Sequence, residues 1–349
     1  MRITLVAPCK DLSGGIKVIA KYGNLLLERG HQVSIVYPAS KLPLLRGLKR
    51  VIKKWLKRQK DHLDNFNGNL LALREVTEHT VPDAEVIIAT AWETAEWIKS
   101  FSAAKGEKVY LIQGHEVWNA SQDRVYETLR YPFKKITISS WLKDLVEEIS
   151  GDTSIEIIPN ASDHVLENFD ADEVIRHFDI GMTYSSIPNK GADIGLEALN
   201  RIKKQFPHAR FILFGSEQPE SDLPEDCEFY ERPSQAKISE IYRQTKIWIS
   251  TSYEEGFCLP CLEAAASGAA VISTDNKGVR DIIVHEDSGY ITETGNVDYL
   301  ELYLKKLMES DELLERMRKN AHRRSKLFNW KDSGDKLHRI LTEQVGESL

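Results

Sequence analysis

No apolar run in the 349 residues approaches the ~20 that a membrane-spanning helix needs. The opening stretch Met1-Arg2-Ile3-Thr4-Leu5-Val6-Ala7-Pro8 is too short for a signal-peptide core and stops at a proline. It reads instead as a first strand, and a cytoplasmic location is expected. Cysteine is scarce, at Cys9, Cys227, Cys258 and Cys261. A structural zinc site wants two tight pairs, and only Cys258-Leu259-Pro260-Cys261 makes one, so no metal is expected. Two small, partly buried thiols are the plain reading of this C-x-x-C, with a redox pair as the alternative. Low-complexity tracts and long internal repeats are absent too. With 42% hydrophobic and 28% charged residues, the composition argues against extensive disorder.

What is present is a chain longer than one core ordinarily serves, so two domains are expected. Strand-like and helix-like runs alternate throughout, the pattern of parallel sheets with crossover helices. Residues 2–7 read as a buried strand, Ser13-Gly14-Gly15 as a tight loop whose glycines allow positive φ, and residues 16–29 as a helix closed by Gly30. Strands follow at 32–37, 85–89, 108–113 and 135–139. A second series occupies 180–185, 210–215, 246–250, 270–274 and 290–292. Residues 160–172 lose periodicity and read as a linker. The expected division is an N-terminal domain at 1–165, a C-terminal domain at 166–328, and a last helix within 329–349 that Asn329-Trp330 opens. Each domain reads as α/β, a Rossmann-like doubly wound sheet. In such sheets ligands bind beyond the carboxyl ends of the strands, at helix N-termini. Two such edges facing across a cleft would suit a charged donor and a neutral acceptor.

The most informative stretch is Ser252-Tyr253-Glu254-Glu255-Gly256-Phe257-Cys258-Leu259-Pro260-Cys261-Leu262-Glu263 and the small residues after it. Glu255 falls in a loop after a strand, and Gly256, Phe257, Cys258 and Leu259 should present backbone amides at a helix start. Such amides suit a diphosphate or sugar hydroxyls. Glu263, inside that helix, is placed to accept paired ribose hydroxyls. The plain alternative is two solvated surface acids. The stretch resembles the donor-site signature of family 4 glycosyltransferases, retaining enzymes of the GT-B fold whose pattern is two glutamates separated by seven residues. The resemblance runs over nearly the whole chain and is strongest over 180–295.

It implies that Glu255 orients the transferred sugar and Glu263 holds the nucleotide ribose. Lys190-Gly191 matches the family lysine that neutralises the donor diphosphate, where leaving-group charge develops. The family's arginine five residues earlier is replaced within Tyr184-Ser185-Ser186, which leaves Ser185 as a donor contact and Lys277, Arg280 or Arg232 as substitute cations. Cys258 stands where the family usually has glycine. Asn276-Lys277-Gly278 and Asp281 replace its downstream Gly-Gly and Glu. Gly14 and Gly15 resemble the N-domain loop that closes over the donor phosphates. His115, in Gln113-Gly114-His115-Glu116, resembles a family histidine near the reacting sugar, with an ordinary loop histidine as the alternative.

The resemblance implies transfer of a sugar from a nucleoside-diphosphate sugar to a glycan or lipid-linked acceptor. Metal is not needed, and there is no cofactor beyond the substrate itself. A non-hydrolysing sugar-nucleotide epimerase and a non-catalytic relative are the alternative readings. Residues 41–60 hold nine Lys or Arg and no acid, although the whole chain carries −7. On a helical projection Leu44, Leu45, Leu48, Val51, Ile52, Trp55 and Leu56 share one face, with Lys49, Arg50, Lys53, Lys54, Lys57 and Arg58 on the other. That is the pattern of a helix lying on an anionic membrane surface, and a helix docked to its own sheet is the alternative. No nucleic-acid motif is recognisable, and nucleic acid is not an expected partner.

Overall fold

A computed structural model of the chain describes residues 1–39, 61–163 and 175–346. The basic segment, with Lys49, Arg50, Lys53, Lys54, Trp55, Lys57 and Arg58, lies outside the described residues. So do positions 164–174, which include most of the expected linker and the expected boundary at 165/166. By internal contacts the chain divides into two compact units, Met1–Ile158 together with the segment from Lys331, and Pro159–Trp330. Among the described residues no helix is long and apolar enough to cross a membrane.

The first unit runs β1 (Arg2–Val6), α1 (Gly14–Glu28), β2 (Gln32–Pro38), β3 (Asn69–Leu73), β4 (Val86–Ala89), α2 (Trp92–Ile98), β5 (Glu107–Ile112), α3 (Gln122–Leu129), β6 (Lys134–Thr137), α4 (Ser140–Ser150) and β7 (Glu156–Ile157). All strands are parallel, in the order β3-β2-β1-β4-β5-β6-β7. Residues 3–6 of β1 and all of β4 are buried, as expected for central strands covered on both faces. The expected tight loop at Ser13-Gly14-Gly15 is instead the start of α1, and neither glycine has positive φ. Asp11 Oδ1 accepts the Ser13 N–H at 2.8 Å, which ends the loop at Ser13. The Ser13 carbonyl then accepts the Lys17 N–H at 3.1 Å, so helical bonding starts at the glycines.

The second unit runs β8 (Phe178–Tyr184), α5 (Ala192–Gln205), β9 (Phe211–Gly215), β10 (Cys227–Glu231), α6 (Gln235–Arg243), β11 (Thr245–Ser250), α7 (Leu259–Ala266), β12 (Ala270–Thr274), β13 (Tyr290–Thr292), α8 (Val297–Met308) and α9 (Asp311–Ser325). Its parallel order is β10-β9-β8-β11-β12-β13. One face packs Ile180, Met182, Leu213, Ile249 and Ile272 under Leu199, Leu300 and Leu304. On β11 the fully buried Trp248 packs at a tilt against Tyr242 and Phe214, at ring-centroid distances of 4.5 and 5.7 Å. Gly181 on the neighbouring strand makes room for that indole, since a Cβ there would lie 2.6 Å from it. The order reverses between β8 and β11. The loops after these two strands therefore flank the crevice where open α/β sheets take their ligands.

The final helix, α10 (Trp330–Gly346), packs into the first unit from Lys331 onward. Arg29 grips it, donating to Asp335 Oδ1 at 2.6 Å and to the Lys331 carbonyl at 3.0 Å. His31 Nε2 lies 2.8 Å from His338 Nδ1.

Gly191, between β8 and α5, has φ +59°, and a Cβ there would sit 2.2 Å from the Thr251 carbonyl oxygen. Gly151 has φ +70° with nothing within 4 Å of a Cβ. Gly151→Ala should cost about 1 kcal/mol, the left-handed backbone term alone. Gly191→Ala should cost roughly 2–4 kcal/mol, because backbone must also move. Urea titrations of both variants check this, and equal losses would contradict the close approach.

Candidate active site

Lys190 ends a short 3-10 turn, Pro188–Lys190, that Gly191 terminates in the left-handed conformation. Its Nζ meets Glu255 Oε1 at 2.7 Å, and the Ser252 hydroxyl donates to the same oxygen at 2.7 Å. The loops carrying these residues are stitched together by short polar contacts. The Thr251 hydroxyl donates to the Lys190 carbonyl at 3.2 Å, the Tyr253 N–H to Asn189 O at 2.9 Å, and Asn189 Nδ2 to Glu254 O at 3.1 Å. The Glu255 N–H donates to the Asn276 carbonyl at 2.9 Å, which ties in the loop after β12. Three strand ends thus converge on one lysine–glutamate pair. The side chains are 39% and 17% exposed, and a pair so placed contributes only about 0–1 kcal/mol to stability. Its significance lies in positioning.

Glu263 lies on α7 and is only 7% exposed, so it is no solvated surface acid. The buried Tyr242 hydroxyl donates to its Oε2 at 3.1 Å and fixes the carboxylate. Phe257 is buried against Phe328, with ring centroids 5.7 Å apart. Cys258 caps α7, and Leu259 and Pro260 open it; the proline has no N–H to leave unpaired there. The Leu259 N–H is taken by the Phe257 carbonyl at 2.7 Å, so it is not presented to a ligand as expected. Cys258 and Cys261 are fully buried rather than partly so, because the first turn of α7 points both into the sheet. Among the described residues no group of three or more His, Cys, Asp or Glu is arranged to hold a metal ion.

The candidate substitutes for the arginine differ in placement. Arg280 is bound through two nitrogens to Asp275, both at 2.7 Å. Arg232 donates to the Ser216 carbonyl at 2.6 Å. Lys277 pairs its ammonium with Glu254, and its backbone forms a bridge with Glu255. Ser185 accepts the Ile187 N–H at 3.3 Å, and Ser186 donates its N–H and hydroxyl to Glu217 at 2.9 and 2.6 Å. Ser185, Asn189, Asp193, Glu220 and Tyr253 line a cavity of about 730 Å³ on this side of the sheet.

In the first unit, a Cβ on Gly15 would lie 3.6 Å from the Gln113 side-chain amide, so the start of α1 and the loop after β5 adjoin. Gly14 precedes it in the first turn. His115 is half-buried, its Nε2 3.2 Å from the Tyr126 hydroxyl, with its ring edge-on to Trp141. Sequence reasoning passed over its neighbour Glu116. The Trp92 N–H, at the start of α2, donates to Glu116 Oε2 at 2.9 Å. It likewise passed over Ser252 and Tyr242, which position the two glutamates. No spacing rule links Tyr242 to Glu263, since the sheet alone brings them together.

Burial pushes the Glu116 carboxyl up to about 8, with Glu93 adding to the rise and the Trp92 N–H opposing it. An unfolded glutamate titrates near ~4.3. The folded state therefore holds this proton longer, and stability falls as pH rises from ~4.3 to about 8, then levels off. Glu116→Gln should flatten that part of the profile. Melting temperatures of both proteins between pH 4 and 9 test this, and parallel profiles would contradict it.

Residues 179–324 match the family model described as glycosyl transferases group 1. The phosphatidyl-myo-inositol mannosyltransferase of Mycolicibacterium smegmatis is 22% identical over 390 residues, covering 100% of this chain and 95% of that protein. The capsular polysaccharide biosynthesis glycosyltransferase CapM of Staphylococcus aureus is 22% identical over 184 residues, 49% of this chain and 48% of CapM. Anabaena HepE in complex with UDP and glucose superposes with a TM-score of 0.76 at 15% identity, over 98% of this chain and 100% of that one. Sucrose-phosphate synthase from Thermosynechococcus elongatus gives 0.75 at 14% identity, over 99% and 100%. The structural likeness shows the fold. The chain therefore has the GT-B fold, and its residues 179–324 are similar to the glycosyl transferases group 1.

Proposed function

We propose that the chain moves a hexose or related sugar from a nucleoside-diphosphate sugar to a glycan or lipid-linked acceptor, with retention at the anomeric carbon, in cell-surface polysaccharide or glycolipid assembly. The observation that carries this reading is the Lys190–Glu255 contact of 2.7 Å at the strand-order reversal of the second unit. Relatives named for phosphatidylinositol mannosylation and capsule synthesis support the acceptor class. A structural neighbour bound to UDP and glucose supports the donor class.

Lys190 bridges Glu255 and the donor diphosphate. As the anomeric bond loosens, charge grows on the leaving phosphate, and a fixed ammonium group stabilises that state more than the ground state. Lys277, whose backbone bridges to Glu255 and whose ammonium pairs with Glu254, supplies the second positive charge that the missing arginine would give. Glu255, fixed by Ser252 and Lys190, orients the sugar hydroxyls. Glu263, fixed by Tyr242, accepts from the ribose. The departing phosphate takes the proton of the incoming hydroxyl. The two-carboxylate division of glycoside hydrolysis is therefore not assigned to these glutamates. No metal is required in this reaction. Gly14 and Gly15 contribute donor-phosphate contacts and His115 lies near the reacting sugar, as the family resemblance implies.

Lys190→Ala should lower kcat about 10²–10³-fold, the range for removing one preorganised charge or donor. Transfer from a panel of UDP-, GDP- and dTDP-sugars, with product configuration read by proton NMR, tests the assignment. An inverted product, or full activity in Lys190→Ala, would overturn it. A sugar nucleotide altered without any acceptor would instead favour an epimerase.

We further propose that the basic segment 41–60 attaches the chain peripherally to the inner membrane face. Replacing Lys53, Lys54, Lys57 and Arg58 with glutamate should abolish co-sedimentation with anionic vesicles. Unchanged sedimentation would exclude this.

A further inference from the structure

The sulfurs of Cys258 and Cys261 have no part in the proposed transfer, yet they lie 2.9 Å apart inside the donor loop. Local geometry puts them there. Cys258 caps α7, Cys261 ends its first turn, and residues three apart on a helix share a face. Pro260 between them fixes the backbone of that turn. A disulfide bond is about 2.05 Å long, so closing it needs less than about 1 Å of sulfur movement.

The two thiols also differ in acidity. Hydrogen bonding with Cys261 lowers the Cys258 thiol below its ordinary value, against the opposing effects of burial and the Glu255 charge. Burial first, then Cys258 itself, holds the Cys261 proton well above the ordinary range. Cys258 caps the N-terminus of α7, where the helix dipole favours a thiolate, so it is the sulfur placed to attack and Cys261 the one to resolve. The Ser250 hydroxyl, 3.5 Å from Cys258 Sγ, gives that sulfur a polar neighbour. Both side chains are 0% exposed, which excludes a bulky disulfide as the oxidant.

We propose that Cys258 and Cys261 form a peroxide-reactive dithiol, a site of reversible oxidation within the donor loop. The Cys258 thiolate attacks one peroxide oxygen and the O–O bond breaks. This leaves a sulfenic acid on Cys258, and the released hydroxide takes up a proton as the first water. The Cys261 sulfur then attacks the sulfenic sulfur, its proton passing to the departing hydroxyl. The S–O bond breaks, the S–S bond forms and a second water leaves. Two thiols are oxidised and one hydrogen peroxide is reduced to two waters. Resting on the donor-site reading above, the disulfide tightens the first turn of α7 between Glu255 and Glu263 and weakens nucleoside-diphosphate binding several-fold.

The test treats the reduced full chain with stoichiometric hydrogen peroxide, then unfolds it with an alkylating agent and maps the peptides. The expected product is an internal Cys258–Cys261 disulfide, lighter by two hydrogens and restored by dithiothreitol. Cys261→Ser, its fold checked by circular dichroism, should stop at a dimedone-trappable Cys258. Complete alkylation of both thiols, or oxidation confined to Cys9 and Cys227, would overturn the proposal. UDP is then titrated calorimetrically into both forms. Weaker binding to the oxidised form supports the regulatory consequence, and equal binding removes it. Absence of UDP binding to either form would sink the donor-site reading while leaving the disulfide result to stand.

Discussion

When the strand order of a parallel sheet reverses, its crossover helices leave in opposite directions and open a crevice at the carboxyl edge. In the second unit that reversal falls between β8 and β11, and everything at the candidate site follows from it. The loop after β8 delivers Lys190 and the loop after β11 delivers Glu255. The two are locked together through Thr251, Tyr253 and Asn189 before the side chains meet. Gly191 allows this closeness, since its missing Cβ would fall within the Thr251 carbonyl. The charged pair is a consequence of the backbone arrangement and adds little stability of its own.

The same division between scaffold and chemistry explains the two glutamates. Glu255 is held half-buried by a serine and a lysine. Glu263 is buried, and the Tyr242 hydroxyl offsets the cost of burying its carboxylate. Tyr242 is itself pinned by Trp248, the largest fully buried side chain of the central strand β11. Glu263 is thus supported by the core of the sheet. Such an arrangement is consistent with solved structures of the same fold at 14–15% identity, since many apolar sequences can fill one core.

Central strands were legible in the sequence because burial on both faces makes them continuous apolar runs; β1, β4, β9, β11 and β12 fall at or within a residue of where the runs place them. The strands it did not show are β3, β7 and β10. Two of these are partly exposed edges, Asn-Leu-Leu-Ala-Leu and Cys-Glu-Phe-Tyr-Glu, and the third has only two residues. The start of α1 was misplaced because glycines signal a turn, whereas Asp11 ends the loop earlier. At the site, the seven-residue spacing of Glu255 and Glu263 was legible because both lie within one loop and helix. Ser252 was near enough to notice, but nothing local marked it. Tyr242, 21 residues from Glu263, and Glu116, held by Trp92, depend on tertiary placement that no local pattern encodes.

The central claim is that Lys190 and Glu255 act as one unit in holding the donor. The most direct measurement is a double-mutant cycle on UDP affinity by titration calorimetry, with Lys190→Ala, Glu255→Gln and the combined variant. Both single variants should bind more weakly, and the double should lose less than the sum of the two by at least ~0.5 kcal/mol, as expected for residues in contact. Losses that add, or a Lys190→Ala protein that binds UDP like the unaltered chain, would contradict the account.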